Sequence, residues 1–207
     1  EQVLEENKAG RVANIDLILP VIELRVDKFG GTKNSLSRVN FHIIFSDEVS
    51  PDHIQTQFLN GLTTGYKLSP DLEGKNIDWN AIITKESLAD LGQKIISSVP
   101  ETERSNFSSS LIEGFNNINF NFETVLNRLK SHYFDGKFLT AVGKTEWANI
   151  KWNDHSIADK KNIINNADFV FISSDSVENY EKAKSHLTKE FVNNRLLDCS
   201  DAHRFSD

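Results

Sequence analysis

Residues 168–172, Asp-Phe-Val-Phe-Ile, are the middle strand of the pattern that decides the fold. A predicted strand at 138–142 precedes them and a short one at 195–197 follows, with helix-like segments in between. Strands that alternate with helices are typical of βαβ crossovers and of a mostly parallel α/β sheet or barrel. In such folds polar groups at the carboxyl ends of the strands build the site, because those ends converge on one face.

The amino-terminal half predicts two further strands before its helices begin. Residues 15–26 and 39–45 are rich in β-branched and aromatic side chains, and the Gly-Gly pair at 30–31 is expected to turn the chain between them. Small polar residues ahead of amphipathic segments predict helix N-caps. The three N-caps predicted in this way are Ser50, Thr84 and Ser176.

Length and composition predict a single domain over residues 1–207. Hydrophobic residues make up 38% of the chain and include 14 Phe, enough for one sizeable core. The net charge of −7 argues against a broad basic surface for duplex nucleic acid. The single Cys199 fits a reducing, cytoplasmic location. No apolar run approaches the roughly 20 residues that a membrane span requires, so no membrane contact is expected.

The motif Ser200-Asp201-Ala202-His203 follows the last predicted strand. Asp201 and His203 lie two residues apart, which places both side chains on the same side of an extended chain. A carboxylate and an imidazole in that arrangement can share one metal ion or one phosphate. The alternative is a surface turn with an Asx cap.

Two more residues of metal-ligand type lie in the predicted amino-terminal strands. Glu23 stands in an apolar run, where a carboxylate is costly unless it is paired or bound to metal. The alternative is an edge strand that turns Glu23, Arg25 and Asp27 to water. His42 is the polar residue of the next strand and is either a core histidine or a ligand. With the terminal motif, these residues supply two imidazoles and two carboxylates, which suit Zn, Mn or Fe.

Lys144 follows the predicted strand at 138–142, in Gly143-Lys144-Thr145-Glu146. Its position at a strand end makes its ammonium group a candidate contact for phosphate. The segment is not a P-loop, because no glycine lies five positions before Gly143. An ordinary polar loop between strand and helix is the alternative.

Three motifs, in their order along the chain, resemble the PHP (polymerase and histidinol phosphatase) domain. They are Leu19-Pro20-Val21-Ile22-Glu23-Leu24-Arg25, Asn40-Phe41-His42 and Ser200-Asp201-Ala202-His203. The segments 141–147 and 196–203 resemble in particular the amino-terminal PHP domain of TrlF-type AAA/SMC-like ATPases. Through the order of its motifs the resemblance covers nearly the whole chain.

The resemblance implies a distorted (β/α)7 barrel with up to three divalent metal ions at the carboxyl ends of its strands. It implies that Glu23 bridges metals and that His42, Asp201 and His203 complete the ligand set. The resemblance also implies that Glu23, Asp201 and His203 are catalytic residues.

The activity implied by the resemblance is phosphoester hydrolysis, with Lys144 or Arg25 steadying the phosphate. The implied partners are an attached ATPase and a nucleic-acid or other phosphoester substrate.

The chain departs from the family pattern in two places. The opening His-x-His motif is missing and is expected to precede Glu1, in a sequence that contains no Met. A further family histidine has no match, and residues 143–146 occupy its place. Three hypotheses follow: a metal-dependent phosphoesterase, a degenerate PHP module that scaffolds or regulates an ATPase without catalysis, or an unrelated α/β domain.

Overall fold

A computed structural model describes residues 2–11, 15–32, 35–62, 64–67, 78–143, 147, 157–174 and 176–199. These residues divide into two compact units. The first comprises residues 1–49 and 136–207, and the second comprises residues 50–135. Glu23, Arg25 and His42 belong to the first unit.

Strands and helices alternate most regularly in the carboxyl-terminal third of the chain. In chain order the elements are α1 (Gln2–Lys8), β1 (Val21–Thr32), β2 (Ser35–Phe45), α2 (Pro51–His53), β3 (Thr64–Lys67), β4 (Asp78–Ala81), α3 (Lys85–Ser98), α4 (Ser110–Asn117), α5 (Phe122–Leu129), β5 (Phe138–Val142), α6 (Ile157–Asn165), β6 (Phe169–Ile172), α7 (Val177–Lys189) and β7 (Leu196–Asp198). None of the helices among the described residues has the length and apolar content to cross a membrane.

The first unit is built on a mixed five-stranded sheet in the order β1-β2-β5-β6-β7. β1 pairs antiparallel with β2, and β2 pairs antiparallel with β5. β5, β6 and β7 are parallel to one another, with α6 and α7 in the connections between them. The βαβ pattern predicted for the carboxyl-terminal half is therefore confirmed.

The predicted distorted (β/α)7 barrel is wrong. Among the described strands, β1 and β7 form the two edges of an open sheet, and no pairing joins them. A (β/α) barrel requires parallel strands throughout, each followed by a helix. Here the hairpin β1-β2 and the antiparallel pair β2-β5 occupy one half of the sheet, so the parallel crossovers are confined to the other half.

One face of this sheet forms the core of the first unit. Val26, Phe41, Ile43 and Val170 on that face are fully buried. Side chains of α6 and α7 pack with β6 in one apolar cluster: Ile164, Val170, Ile172, Leu187 and Val192, together with Trp147. Because side chains alternate along a strand, Glu23 and His42 point to the opposite, more exposed face.

The Gly-Gly pair at 30–31 does not turn the chain as predicted. Both glycines lie in β1, opposite Ser37 and Leu36, and pairing continues to Thr32 and Ser35. The ladder shifts register between Arg25 and Phe29. The glycine pair therefore lies in the regularly paired far end of the hairpin, beyond the register shift.

All three predicted helix caps are confirmed. The Ser50 and Ser176 hydroxyls accept hydrogen bonds from the backbone N–H groups of His53 and Asn179, each at 3.2 Å. Thr84 and Ser87 cap each other's backbone N–H groups at 3.1 and 3.0 Å. These hydrogen bonds satisfy backbone N–H groups that the first turn of each helix leaves without an intrahelical partner.

The second unit contains α2 to α5 and the antiparallel hairpin β3-β4. α3 and α4 approach each other closely at two glycines. A Cβ atom on Gly92 would lie 1.8 Å from the Ser110 carbonyl oxygen, and one on Gly114 would lie 1.8 Å from that of Leu88. The two backbones can touch only because both positions lack a side chain.

α7 ends in a hydrogen-bonding pattern that turns the chain toward β7. Phe191 N–H donates to the Thr188 carbonyl at 3.1 Å, and Val192 N–H donates to the Leu187 carbonyl at 3.2 Å. This is a Schellman motif, with the expected apolar contact between the buried Leu187 and Val192. Phe191 occupies its left-handed position at φ 57°, where glycine is favoured, and its side chain is 88% exposed.

Replacing Phe191 with glycine is expected to raise the free energy of unfolding by about 1 kcal/mol, because glycine has no Cβ penalty in the left-handed region. Thermal unfolding followed by circular dichroism measures the change. Phe191→Ala is the matched control, since it removes the ring but keeps the Cβ, and no gain is expected. A lower melting temperature for Phe191→Gly would contradict this account.

Candidate functional site

Glu23 and His42 are directly opposite each other in the β1-β2 ladder. Residues in this relation point to the same face, with Cβ atoms about 4.5–5.5 Å apart. A carboxylate and an imidazole that start this close can both reach a single bound ion. The structure thus brings together two candidate ligands that are 19 positions apart in the sequence.

The apolar residues on either side set this register. Leu24 and Phe41 are paired in the ladder and both are buried. A slip of one residue would turn Glu23 into the core and Leu24 to water. The buried face therefore keeps Glu23 exposed and His42 half-buried on the other face.

The imidazole of His42 extends beyond the neighbouring strand. His42 is opposite Ala141 of β5, and the imidazole and Phe171 ring centroids lie 4.9 Å apart at 57°. β5 separates β2 from β6, whose backbones are therefore about 10 Å apart. Ala141 is small and fully buried, and the ring leans across β5 at this position to meet Phe171. His42 consequently reaches the carboxyl end of β6, on the side of β2 opposite to β1 and Glu23.

The carboxyl end of β7 is fastened to the same part of β6. The Asp198 carboxylate accepts hydrogen bonds from the Ser174 N–H at 3.0 Å and from the Ser174 hydroxyl at 2.5 Å. Cys199 donates to the Ile172 carbonyl oxygen through its N–H at 2.8 Å and through its thiol at 3.2 Å. The chain thus leaves β7 one strand away from Phe171 and the His42 ring.

Asp201, His203 and Lys144 lie outside the described residues. The described residue before Lys144 is Gly143, which is buried directly after β5. His203 follows Asp198 by five positions, a span of at most about 17 Å for an extended chain.

Arg25, the other candidate phosphate contact, lies two residues after Glu23 on β1. It is half-buried and opposite Asn40. Because side chains alternate along a strand, Arg25 and Glu23 share the exposed face of the sheet. A guanidinium and a carboxylate therefore flank each other beside His42.

Metal-binding capacity within the described residues is limited to pairs of donors. No group of three His, Cys, Asp or Glu side chains in this part of the chain could hold an ion. Glu23 and His42 supply one carboxylate and one imidazole. Zn, Mn and Fe accept both donor types, and a protein site generally has three or more ligands.

Three features of this region were not predicted from the sequence. They are the position of Ala141 opposite His42, the ring contact between His42 and Phe171, and the hydrogen bonds between Asp198 and Ser174. Ala141 and Phe171 carry no titratable group and so offer no chemical signal. Ser174, in contrast, follows a predicted strand and is a polar strand-end residue of the kind that marks sites in α/β folds.

Comparisons with protein-family models, with curated proteins and with solved structures returned no match. The functional proposal therefore rests on residue chemistry, on the geometry of the described residues and on the sequence resemblance.

Replacing Phe171 with leucine is expected to move the NMR signals of the His42 ring protons, because the aromatic ring 4.9 Å away is removed. Two-dimensional spectra of protein labelled in its histidines measure the shift. Phe115→Leu is a matched control, since Phe115 is exposed on α4 of the second unit. Unchanged His42 signals in Phe171→Leu would contradict the contact.

Proposed function

We propose that this chain is a metal-dependent phosphoesterase domain related to PHP domains, and that Glu23, His42, Asp201 and His203 hold its divalent ions. The observation that carries the proposal is the opposition of Glu23 and His42, with the imidazole directed toward the strand next to β7. The motif that contains Asp201 and His203 begins at Ser200, two positions after Asp198, the last residue of β7.

The four residues fit a divalent ion by donor chemistry. Two carboxylates and two imidazoles are the mixture that Zn, Mn and Fe bind in proteins. Glu23 and His42 occupy opposed Cα positions in the ladder, and the imidazole leans from β2 toward Phe171 of β6, away from β1. A shared ion would therefore require the His42 ring to turn back toward Glu23.

When bound, a divalent ion supplies charge that polarises a phosphoryl oxygen and makes a water molecule more acidic. The residues of this chain hold and orient the reactants. Glu23 and His42 would supply two ligands from the sheet, and Asp201 and His203 would supply the other two. Arg25 and Lys144 contribute positive charge for the phosphate, and Arg25 shares the face of Glu23.

The substrate class and partners in this proposal come from the resemblance. Nucleic acid is the phosphoester that a domain attached to an ATPase would process. The net charge of −7 restricts any such contact to a local groove. A cytoplasmic location fits the single cysteine.

Wild-type protein is expected to bind Mn²⁺, and His42→Asn to weaken that affinity by about tenfold or more, because a ligand is lost. Glu23→Gln should weaken it similarly. Titration calorimetry and the electron paramagnetic resonance signal of free Mn²⁺ measure binding. The matched controls are His53→Asn and Glu181→Gln, which change exposed residues on α2 and α7 and should leave affinity unchanged. The ligand assignment would be contradicted if His42→Asn and Glu23→Gln bound Mn²⁺ as tightly as the two control variants and the wild-type protein.

Hydrolysis of bis(p-nitrophenyl) phosphate with Mn²⁺ tests catalysis separately. Activity should be lost in His203→Ala and retained in His53→Asn. Metal binding without hydrolysis would instead identify a non-catalytic PHP-like module that scaffolds or regulates an ATPase. Activity that survives unchanged in His203→Ala would overturn the assignment of the terminal motif.

A further inference from the structure

We infer that two copies of this chain associate through the outer edge of β1, which pairs antiparallel with β1 of a second copy about a two-fold axis at Leu24. The two five-stranded sheets then form one continuous sheet. The inference goes beyond the proposed function, because it uses no metal ion and no substrate. Its physical basis lies in Val21–Arg25, the regular part of β1.

β1 is the longer of the two edge strands of the sheet. It contains 12 residues, whereas β7 at the other edge contains three. An edge strand presents a row of backbone N–H and C=O groups to which a further strand can pair, and proteins commonly keep such edges short. Among the described strands, β2 is the one neighbour of β1. β1 is therefore the edge with enough length for another strand to add.

The hydrogen bonds between β1 and β2 determine which backbone groups face this edge. Phe45 N–H donates to the Pro20 carbonyl oxygen at 2.8 Å, and the ladder continues in regular register from Val21 to Arg25. Hydrogen-bonded and non-hydrogen-bonded pairs alternate along an antiparallel ladder. Val21, Glu23 and Arg25 therefore direct their N–H and C=O groups away from β2, toward the outer edge.

The charges of β1 select one register for two copies. The outward groups of both strands have to meet, which allows a two-fold axis at a residue but not between residues. An axis at Leu24 puts Glu23 of each copy opposite Arg25 of the other. An axis at Glu23 would oppose two carboxylates, and an axis at Arg25 would oppose two guanidinium groups. Opposite charges across paired strands stabilise a sheet and like charges destabilise it, so the axis at Leu24 is favoured.

The same register continues the apolar core face across the axis. Leu24 lies opposite Leu24 of the second copy, and Ile22 lies opposite Val26. Leu24 and Val26 are buried on the core face, and Ile22 shares that face because side chains alternate along a strand. The two cores therefore meet on one side of the joined sheet, and the ion pairs lie on the other.

The ion pair is compatible with the other roles of its two residues. Arg25 also has a contact within its own chain. A guanidinium group carries five N–H donors, so Arg25 can keep that contact and bind a carboxylate of the second copy. Carboxylates that ligate metals are commonly hydrogen-bonded to a further group, so Glu23 can pair with Arg25 and still serve as a ligand.

Sedimentation equilibrium in EDTA tests the association without metal. Wild-type protein should approach twice the 23.5 kDa mass of the chain as its concentration rises. Glu23→Arg and Arg25→Glu should each weaken the dimer by about tenfold, because like charges then meet at two symmetric positions. The double variant restores opposite charges and should bind within about threefold of wild type. Glu181→Arg, an exposed charge reversal on α7, is the matched control and should leave the dimer unchanged.

A wild-type protein that stays monomeric at millimolar concentration would overturn the inference. A dimer that neither single reversal weakens would place the interface elsewhere, and failure of the double variant to restore binding would refute the register. Circular dichroism checks that each variant is folded. If a reversal does not fold, Glu23→Pro carries the test, because it removes an N–H that points away from β2 and keeps the β1-β2 ladder. Glu23→Pro should be monomeric, and wild-type affinity in this variant would also overturn the inference.

Discussion

The register of β1 on β2 is the constraint on which the rest of this account depends. The buried residues Leu24 and Phe41 are paired on the core face, and this pairing puts Glu23 opposite His42 on the other face. No interaction between the carboxylate and the imidazole is required to create this opposition. The hydrophobic effect sets the position of two polar groups as a consequence of burying their neighbours, because a slip of one residue would exchange the faces.

β6 extends this arrangement across the sheet. Near its carboxyl end, Phe171 contacts the His42 ring. Ile172 and Ser174 hydrogen-bond to Cys199 and Asp198, where the chain leaves β7. A closed barrel is not needed to bring these groups together, because a side chain that leans over Ala141 spans the intervening strand. Phe171, Ile172 and Asp198 lie at the carboxyl ends of the parallel strands β6 and β7, where α/β proteins commonly place functional groups.

Local features of the fold could be predicted from the sequence, whereas pairings between distant segments could not. The strand at 138–142 and the cap at Ser176 follow from residues within a few positions. The barrel came from the resemblance. The antiparallel pairing of β2 with β5 joins residues that are 93 to 101 positions apart in the sequence and has no local signal. Glu23 and His42 could be recognised from the sequence as candidate metal ligands by their side-chain chemistry. Their positions opposite each other depend on the register of the hairpin, which the sequence did not predict. Ala141 carried no chemical signal at all.

Paramagnetic relaxation by Mn²⁺ in ¹⁵N-labelled wild-type protein tests the central claim most directly. If Glu23, His42 and the terminal motif share an ion, substoichiometric Mn²⁺ will broaden the amide signals of Glu23, His42, Phe171 and residues 198–203 at the same concentration. Broadening that reaches residues 198–203 but spares Glu23 and His42, or that is confined to scattered surface carboxylates, would show that these groups do not form one site.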